Sequence, residues 1–146
     1  MTFEHQGVYH MQHVDNFIRN WVEDPLETKA IFTSLFQDLQ QKQGVIVEFH
    51  ERPGITYSLR GIHKSQKDRP LFVMIDVIDD DSKQRWLSVC FYGDMIEDPD
   101  ERGDLIPEGL LGSDGYCFDL MEHDDALEDY VRHRIQEAYE NASNNE

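Results

Sequence analysis

Chemically versatile side chains alternate with apolar ones along the middle of this chain. Successive side chains of a strand point to opposite faces of a sheet, so alternate positions would share one face. That second face collects Glu48, His50, Thr56, Ser58, Arg60, Phe72, Met74, Asp76, Trp86, Ser88, Cys90, Tyr92, Cys117, Asp119 and Met121. A merely solvated face would carry mainly Lys, Glu, Thr and Gln. The mixture of aromatic, sulfur-containing and charged groups therefore indicates a lined pocket or a partner surface.

Nine of these residues form the candidate binding set. They are His50, Arg60, Met74, Asp76, Trp86, Ser88, Cys90, Tyr92 and Asp119. The leading hypothesis is a non-enzymatic module that binds an unknown small molecule or protein. Two alternatives stay open: a loop, the N-terminal arm or a second copy in a homodimer covers the face, or an enzyme uses His50, Cys90 or Asp119. The chain carries no GxGxxG, P-loop, GxSxG, HExxH or CxxC motif, so no catalytic residue and no cofactor is assigned.

The elements that position this face follow from periodicity. Apolar residues recur at helical spacing over 14–22, from Asp24-Pro25 to Gly44, and from Asp125 onwards. Glu27 and Glu128 each stand three residues after an aspartate, which predicts capping boxes at Asp24 and Asp125. Five strands are predicted at 45–50, 55–60, 71–78, 85–92 and 116–121.

Short connections between strands favour antiparallel pairing. The prediction is an α+β fold in the order helix, five-stranded mostly antiparallel sheet, helix, with both helices on one face. The apolar face that would meet them holds Val45, Val47, Phe49, Ile55, Tyr57, Leu59, Leu71, Val73, Ile75, Val77, Leu87, Val89, Phe91, Tyr116, Phe118 and Leu120. Residues 1–13 are expected to form a flexible arm, 14–142 a single domain, and 143–146 a frayed tail that begins to loosen at Asn141. His10 and His13 would share a face only if the arm were helical.

The charge balance limits the partners. Thirteen Lys and Arg against 30 Asp and Glu give a net charge of −17. Such a charge repels phosphate backbones and anionic lipid, so neither nucleic acid nor a membrane is expected as a partner. The acidic segment 93–115 is predicted to be a long loop. Within it, 98–109 departs from a calcium loop, because Arg102 stands at the fifth position and Gly109 at the twelfth, so no metal site is assigned.

The cysteines and the N-terminus bear on the compartment. Cys90 and Cys117 are too few for a disulfide framework, which predicts two free thiols in a reducing cytoplasm. The first residues lack the basic and apolar regions of a signal peptide, and no apolar run approaches the roughly 20 residues of a membrane span. A cytoplasmic protein is expected.

Two segments resemble the YdhG-like bacterial domains of unknown function. Val14-Asp15-Asn16-Phe17-Ile18 before Asp24-Pro25 is similar to their opening helix, and Ile135-Gln136-Glu137-Ala138-Tyr139-Glu140 is similar to their closing helix. The resemblance runs roughly from Val14 to Ala142 and implies a helix–sheet–helix plan. Some members of that wider group have been likened to frataxin-type iron chaperones. This implies an alternative function, weak metal binding by acidic residues, for which the candidates are Asp15, Glu23, Asp24, Glu27 and the Asp98–Asp104 loop.

Overall fold

A computed structural model describes the backbone of residues 3–144 and the side chains of residues 10–144. It has three helices and one six-stranded sheet. The helices are α1 (Phe3–Asn20), α2 (Lys29–Gln41) and α3 (Asp125–Ser143). The strands are β1 (Val45–Arg52), β2 (Thr56–His63), β3 (Val73–Ile78), β4 (Trp86–Tyr92), β5 (Asp104–Leu110) and β6 (Ser113–Leu120). The predicted α+β class is confirmed.

The sheet has the order β1-β2-β3-β4-β6-β5, and every neighbouring pair is antiparallel. Strands β1 to β4 follow one another through short connections, as antiparallel pairing allows. After β4 the chain leaves a gap beside this strand and forms β5 at the edge of the sheet. It then returns through a tight turn, and β6 fills the gap, pairing with both β5 and β4. The two edges of the sheet are therefore β1 and β5.

All three helices pack on one face of the sheet. Phe17 of α1 stacks on Tyr57 of β2 with ring centroids 4.2 Å apart, and Phe118 of β6 contacts Tyr130 of α3. The α2 residues Ile31, Phe32, Leu35, Phe36 and Leu39 are buried against this layer. Burial of such side chains supplies the main stabilisation of a fold of this size.

A buried ion pair is enclosed in the same core. The Nε of Arg85 lies 2.7 Å from Oδ1 of Asp79, and both side chains are nearly inaccessible. The guanidinium also lies 5.1 Å from the ring centre of Phe17, and Trp21 and Tyr57 are close by. Asp79, one of three adjacent acids in the β3–β4 turn, therefore belongs to the core rather than to the solvated surface.

The N-terminal half of the chain differs from the prediction in two ways. Residues 3–13, which were expected to belong to a flexible arm, form the first turns of α1. The second helix begins at Lys29 rather than at Pro25. Asp24 does accept hydrogen bonds from the backbone N–H groups of Thr28 and Lys29, but Glu27 has φ 58° and lies in a turn, so the predicted capping box does not form.

The N-cap of the closing helix lies one residue earlier than predicted. Asp124 is the N-cap, and its side chain accepts a hydrogen bond from the N–H of Leu127. The carboxylate of Glu128 accepts a hydrogen bond from the N–H of Asp124, so the reciprocal pattern of a capping box forms with a spacing of four residues rather than three. The helix continues to Ser143 with Ala142 fully buried, past Asn141 where loosening was expected. Residues 145–146 lie outside the described part of the chain.

The predicted acidic loop contains a sixth strand. Residues 104–110 form β5, with a register irregularity between Ile106 and Leu110. Two parity predictions also fail where a strand starts later than expected. Ile55 lies in the β1–β2 turn and is half exposed, whereas Phe72 precedes β3 and packs on Tyr139 of α3, on the helix side.

Candidate functional site

The predicted alternation is confirmed along the central strands. Leu87, Val89 and Phe91 of β4 are fully buried under the helices. Trp86, Ser88 and Cys90 occupy the intervening positions and therefore belong to the opposite side, which we call the second face. Among residues 3–144 no helix is both long and apolar enough to cross a membrane.

A polar row crosses five strands of the second face. The register pairs His50 with Ser58, Ser58 with Asp76, Asp76 with Ser88, and Ser88 with Asp119. Four of the nine candidate residues therefore stand side by side across the sheet. Directly opposed cross-strand side chains lie about 4.5–5.5 Å apart at Cβ, which is close enough for them to interact.

Asp76 is the chemically unusual member of this row. Burial raises the pKa of its carboxyl group, and the Ser58 hydroxyl and the guanidinium groups of Arg60 and Arg52 act in the opposite direction. Its Oδ1 is buried and has no hydrogen-bond partner among the described residues. A buried oxygen without a partner is costly, so Asp76 retains a proton more readily than an ordinary aspartate.

Asp119 stands at the other end of the row and is more exposed. Partial burial and the like charge of Asp104 raise its pKa, while a hydrogen bond from Ser88 lowers it. Two acids of one polar row are thus shifted in the same direction, which favours neutral, hydrogen-bonding carboxyl groups on this face.

The two cysteines overturn the prediction of free thiols. Cys90 of β4 and Cys117 of β6 are register partners and form a disulfide. The bond joins adjacent strands on the second face and is nearly buried. Cys90 therefore offers no thiol nucleophile while the bond is intact. His50, which lies on β1, is separated from it by two intervening strands.

Three members of the candidate set are less accessible than expected. Met74, Cys90 and Tyr92 are each less than 10% exposed. The guanidinium of Arg69 lies 4.2 Å above the Tyr92 ring, and burial raises the pKa of the Tyr92 hydroxyl. These residues contribute to the floor of the second face, whereas Arg60, Asp76, Trp86 and Ser88 are partly exposed and His50 and Asp119 are exposed.

The β5–β6 hairpin folds over part of this face. A Cβ built on Gly115 would lie 3.0 Å from the Cβ of Leu110, so a side chain here would force Leu110 to shift by a few tenths of an ångström. Leu110 is buried, and Leu111, the next residue of the turn, lines the same groove as Arg52 and Arg60. The end of the hairpin therefore reaches towards the opposite edge of the sheet.

The groove so formed has a volume of about 660 Å³. Three segments of the chain line it: α1, β1 with β2, and the β5–β6 turn. The lining residues are His13, Phe49, His50, Glu51, Arg52, Arg60 and Leu111. Only His50 and Arg60 belong to the predicted candidate set, and Asp76 adjoins them through Ser58.

Helix α1 forms one wall of the groove by attaching to the edge strand β1. The N–H of Phe49 donates to Nδ1 of His10 at 2.9 Å, and Nδ1 of His13 lies 2.8 Å from a carboxylate oxygen of Glu51. The segment is helical, and both histidines face β1 rather than forming a metal pair. His10 also satisfies an outward-facing N–H of the sheet edge, which would otherwise be open to pairing with another chain.

The acidic residues proposed for metal binding do not converge in the structure. Asp98 accepts hydrogen bonds from the hydroxyl of Tyr130 and from the backbone N–H groups of Arg102 and Gly103, so it holds the loop together. The Asp24 carboxylate accepts a hydrogen bond from the N–H of Thr28, just before α2. Within the described residues, the one group whose ligand atoms lie close enough for a metal ion is His123, Asp125 and Glu128.

That group was not predicted from the sequence. It lies at the start of α3, where the His123 imidazole bridges the two carboxylates at 3.1 and 3.0 Å. Glu128 also takes part in the capping box of the helix. All three side chains are thus engaged in contacts with one another or with the start of the helix. In the sequence, a histidine in the loop before a helix cannot be distinguished from any other surface residue.

The fold and site define an α+β protein that has three helices on one face of a six-stranded antiparallel sheet and a groove on the other. Compared with protein-family models, curated proteins and solved structures, the chain gives no match. The resemblance to the YdhG-like domains consequently stays a hypothesis.

Proposed function

We propose that this protein is a non-enzymatic module that binds a small molecule in the groove of the second face. The observation that carries the proposal is the convergence of three distant segments around one cavity of about 660 Å³. Ligand sites are typically concave, within 300–1,000 Å³, and combine apolar walls with a few polar groups. Leu111 supplies an apolar contact here, and Arg52, Arg60 and His50 supply polar ones.

The shape of the second face favours a small ligand over a flat protein partner. His13 of α1 lines the groove at the β1 edge, and Leu111 of the β5–β6 turn lines it from the other side. An isologous dimer through the sheet face would bring the β5–β6 turns of two copies against the two sheets. A small molecule would instead lie between His13 and Leu111 of one copy.

The cellular location of the protein is a question separate from its ligand. The expectation of a cytoplasmic location rests on two free thiols and on first residues that lack the regions of a signal peptide, and the Cys90–Cys117 disulfide removes the first of these supports. Disulfides persist mainly in oxidising compartments, and in a reducing one they are usually transient or redox-sensing. Non-reducing mass analysis of alkylated protein taken directly from cells would decide between these cases.

Filling the groove tests the proposal. Leu111→Trp adds bulk at the rim, and Met121→Trp is a matched control because the two side chains are similarly exposed, at 54% and 53%. A thermal-shift screen with anionic, cationic and neutral small molecules should give ligands that stabilise the wild type and Met121→Trp but not Leu111→Trp.

Two results would contradict the proposal. Ligands that stabilise Leu111→Trp as well as the wild type would bind elsewhere. Light scattering that shows a dimer of the wild type and of Met121→Trp, but a monomer of Leu111→Trp, would make the second face a subunit interface.

A further inference from the structure

The groove brings two arginines together in a strongly acidic protein. The chain has 13 Lys and Arg and a net charge of −17, yet Arg52 and Arg60 stand, with one acid, Glu51, among the seven residues that line this one cavity. Negative charge elsewhere keeps long polyanions away from the molecule. A local cationic site in such a surface is suited to a small anion.

The two arginines have most of their hydrogen-bonding capacity unused. Arg52 donates from Nη2 to the hydroxyl of Thr56 at 3.2 Å, and Arg60 donates from Nε to the hydroxyl of Ser58 at 3.3 Å. A guanidinium has five N–H donors in a planar fork. Neither arginine forms an ion pair with any residue in the described part of the chain.

The nearest acids are engaged with other groups. Glu48 stands opposite Arg60 in the register, but its carboxylate lies 3.0 Å from Nε2 of His50. The carboxylate of Glu51 lies 2.8 Å from Nδ1 of His13. Asp76 is the third acid near the arginines, and its burial favours the neutral carboxyl form.

From this arrangement we infer that the ligand of the groove carries a small oxyanion, a phosphate or a carboxylate group, which Arg52 and Arg60 bind together. The inference rests on the proposed function and specifies its ligand class. Planar guanidinium groups match both oxyanions through paired N–H···O bonds, and Arg rather than Lys is the residue of choice for that geometry. Leu111 would contact the apolar part of an organic ligand.

The experiment is isothermal titration of the full chain with inorganic phosphate, pyrophosphate, phenyl phosphate and benzoate at constant ionic strength, with chloride as the reference anion. Phosphate and carboxylate arms separate the two oxyanions, and the phenyl compounds test the apolar wall. At least one oxyanion should bind with a stoichiometry of one. Arg52→Gln/Arg60→Gln should weaken it roughly ten- to a hundredfold, because charge-assisted hydrogen bonds are lost.

Lys67→Gln/Lys83→Gln is the matched control. It removes the same two positive charges from exposed positions outside the groove and should leave the affinity within about twofold, since exposed charges are screened. Glu51→Gln should strengthen binding, because an acid is removed from the groove wall. Circular dichroism of each variant establishes that the fold is retained.

The outcomes separate the ligand class from the function itself. Equal weakening by the arginine and lysine pairs would reduce the effect to overall charge and would overturn the inference. If no oxyanion binds while neutral or cationic compounds still distinguish Leu111→Trp from Met121→Trp, the ligand class is wrong and the groove remains a binding site. If no compound of any charge binds, both proposals fail.

Discussion

Removing the disulfide between Cys90 and Cys117 should lower the free energy of unfolding substantially. The cysteines are 27 residues apart, and the loop that they close includes all of β5. For a loop of this length the chain-entropy relation gives about 12 cal/mol/K, or about 3.5 kcal/mol at 25 °C. Stability of a small domain is about 5–15 kcal/mol, so this loss would be a large fraction of the total.

Urea denaturation followed by circular dichroism measures the effect. The oxidised wild type is compared with the same protein treated with a phosphine reductant, and with Cys90→Ala/Cys117→Ala. With a slope of about 2 kcal/mol/M, a loss of about 3.5 kcal/mol moves the urea midpoint down by roughly 1.5–2 M. The reductant should have no effect on the double alanine variant, which controls for its action on anything other than the disulfide.

Thiol counting makes the reasoning refutable. Oxidised wild-type protein unfolded in urea should show no reactive thiol with Ellman's reagent, and reduced protein should show two. Two thiols in protein purified in air, together with equal unfolding curves before and after reduction, would show that the bond does not form. The pairing of β4 with β6 in the observed register would then have to be re-examined.

Three further predictions test the electrostatics of the fold. Asp76→Asn should stabilise the protein near pH 7 and have little effect near pH 3, because burial raises the pKa of Asp76 and its contribution to stability is lost as pH rises through the folded-state value. Asp98→Asn should destabilise the protein near pH 7 and have little effect near pH 3. Desolvation alone would raise the pKa of Asp98, but hydrogen bonds, the first from Tyr130, lower it. The stability that the Asp98 carboxylate contributes is therefore present at pH 7 and lost in acid. Urea unfolding at both pH values checks the pair, and equal effects of either substitution at the two pH values would contradict the sign. Arg85→Met should lower the free energy of unfolding by about 3–5 kcal/mol, since it leaves the buried Asp79 carboxylate uncompensated. Adding Asp79→Asn to this variant should restore part of the lost stability in the same assay. If it does not, Arg85 stabilises the fold through packing alone.

The sheet was predictable where alternation is strong. Strands β3 and β4 bury one side and leave polar groups on the other, so period-two reasoning assigned Ile75, Val89 and Phe91 correctly. Strand β5 was missed because six of its seven residues are exposed and Pro107 interrupts it. An edge strand with both sides in solvent has no reason to alternate, and proline is compatible with an edge or a bulge.

The start of α1 was missed for a related physical reason. Residues 3–13 lack the continuous apolar stripe that begins at Val14, and the polar contacts of His10 and His13 to β1 come from residues distant in the sequence. Such contacts depend on a strand more than 30 residues away. The errors at Ile55 and Phe72 have another origin, since parity applies only within a strand and both residues precede one.

The candidate set illustrates the limit of reasoning by faces. Parity places a residue on one side of a sheet but says nothing about its distance from other residues of that side, which depends on how the sheet curls and what folds over it. Arg52 and Leu111 line the groove although neither was a candidate, and Met74 and Tyr92 were candidates although both are buried. Local periodicity carries no signal for such long-range placement.

The disulfide and the groove depend on the same hairpin, which links the structural and functional predictions. The disulfide of Cys117 joins β6 to β4. Two residues earlier, at Gly115, Leu110 packs against β6. Leu111, the residue after Leu110, lines the groove. Reduction would remove a covalent constraint on β6 without removing its hydrogen-bonded pairing. Oxyanion binding should therefore persist in the reduced protein under native conditions with a weaker affinity, because more conformational freedom of the hairpin must be lost on binding. Titration of reduced and oxidised protein with the same oxyanion measures this coupling, and equal affinities would show that hydrogen bonding alone holds Leu111 in place.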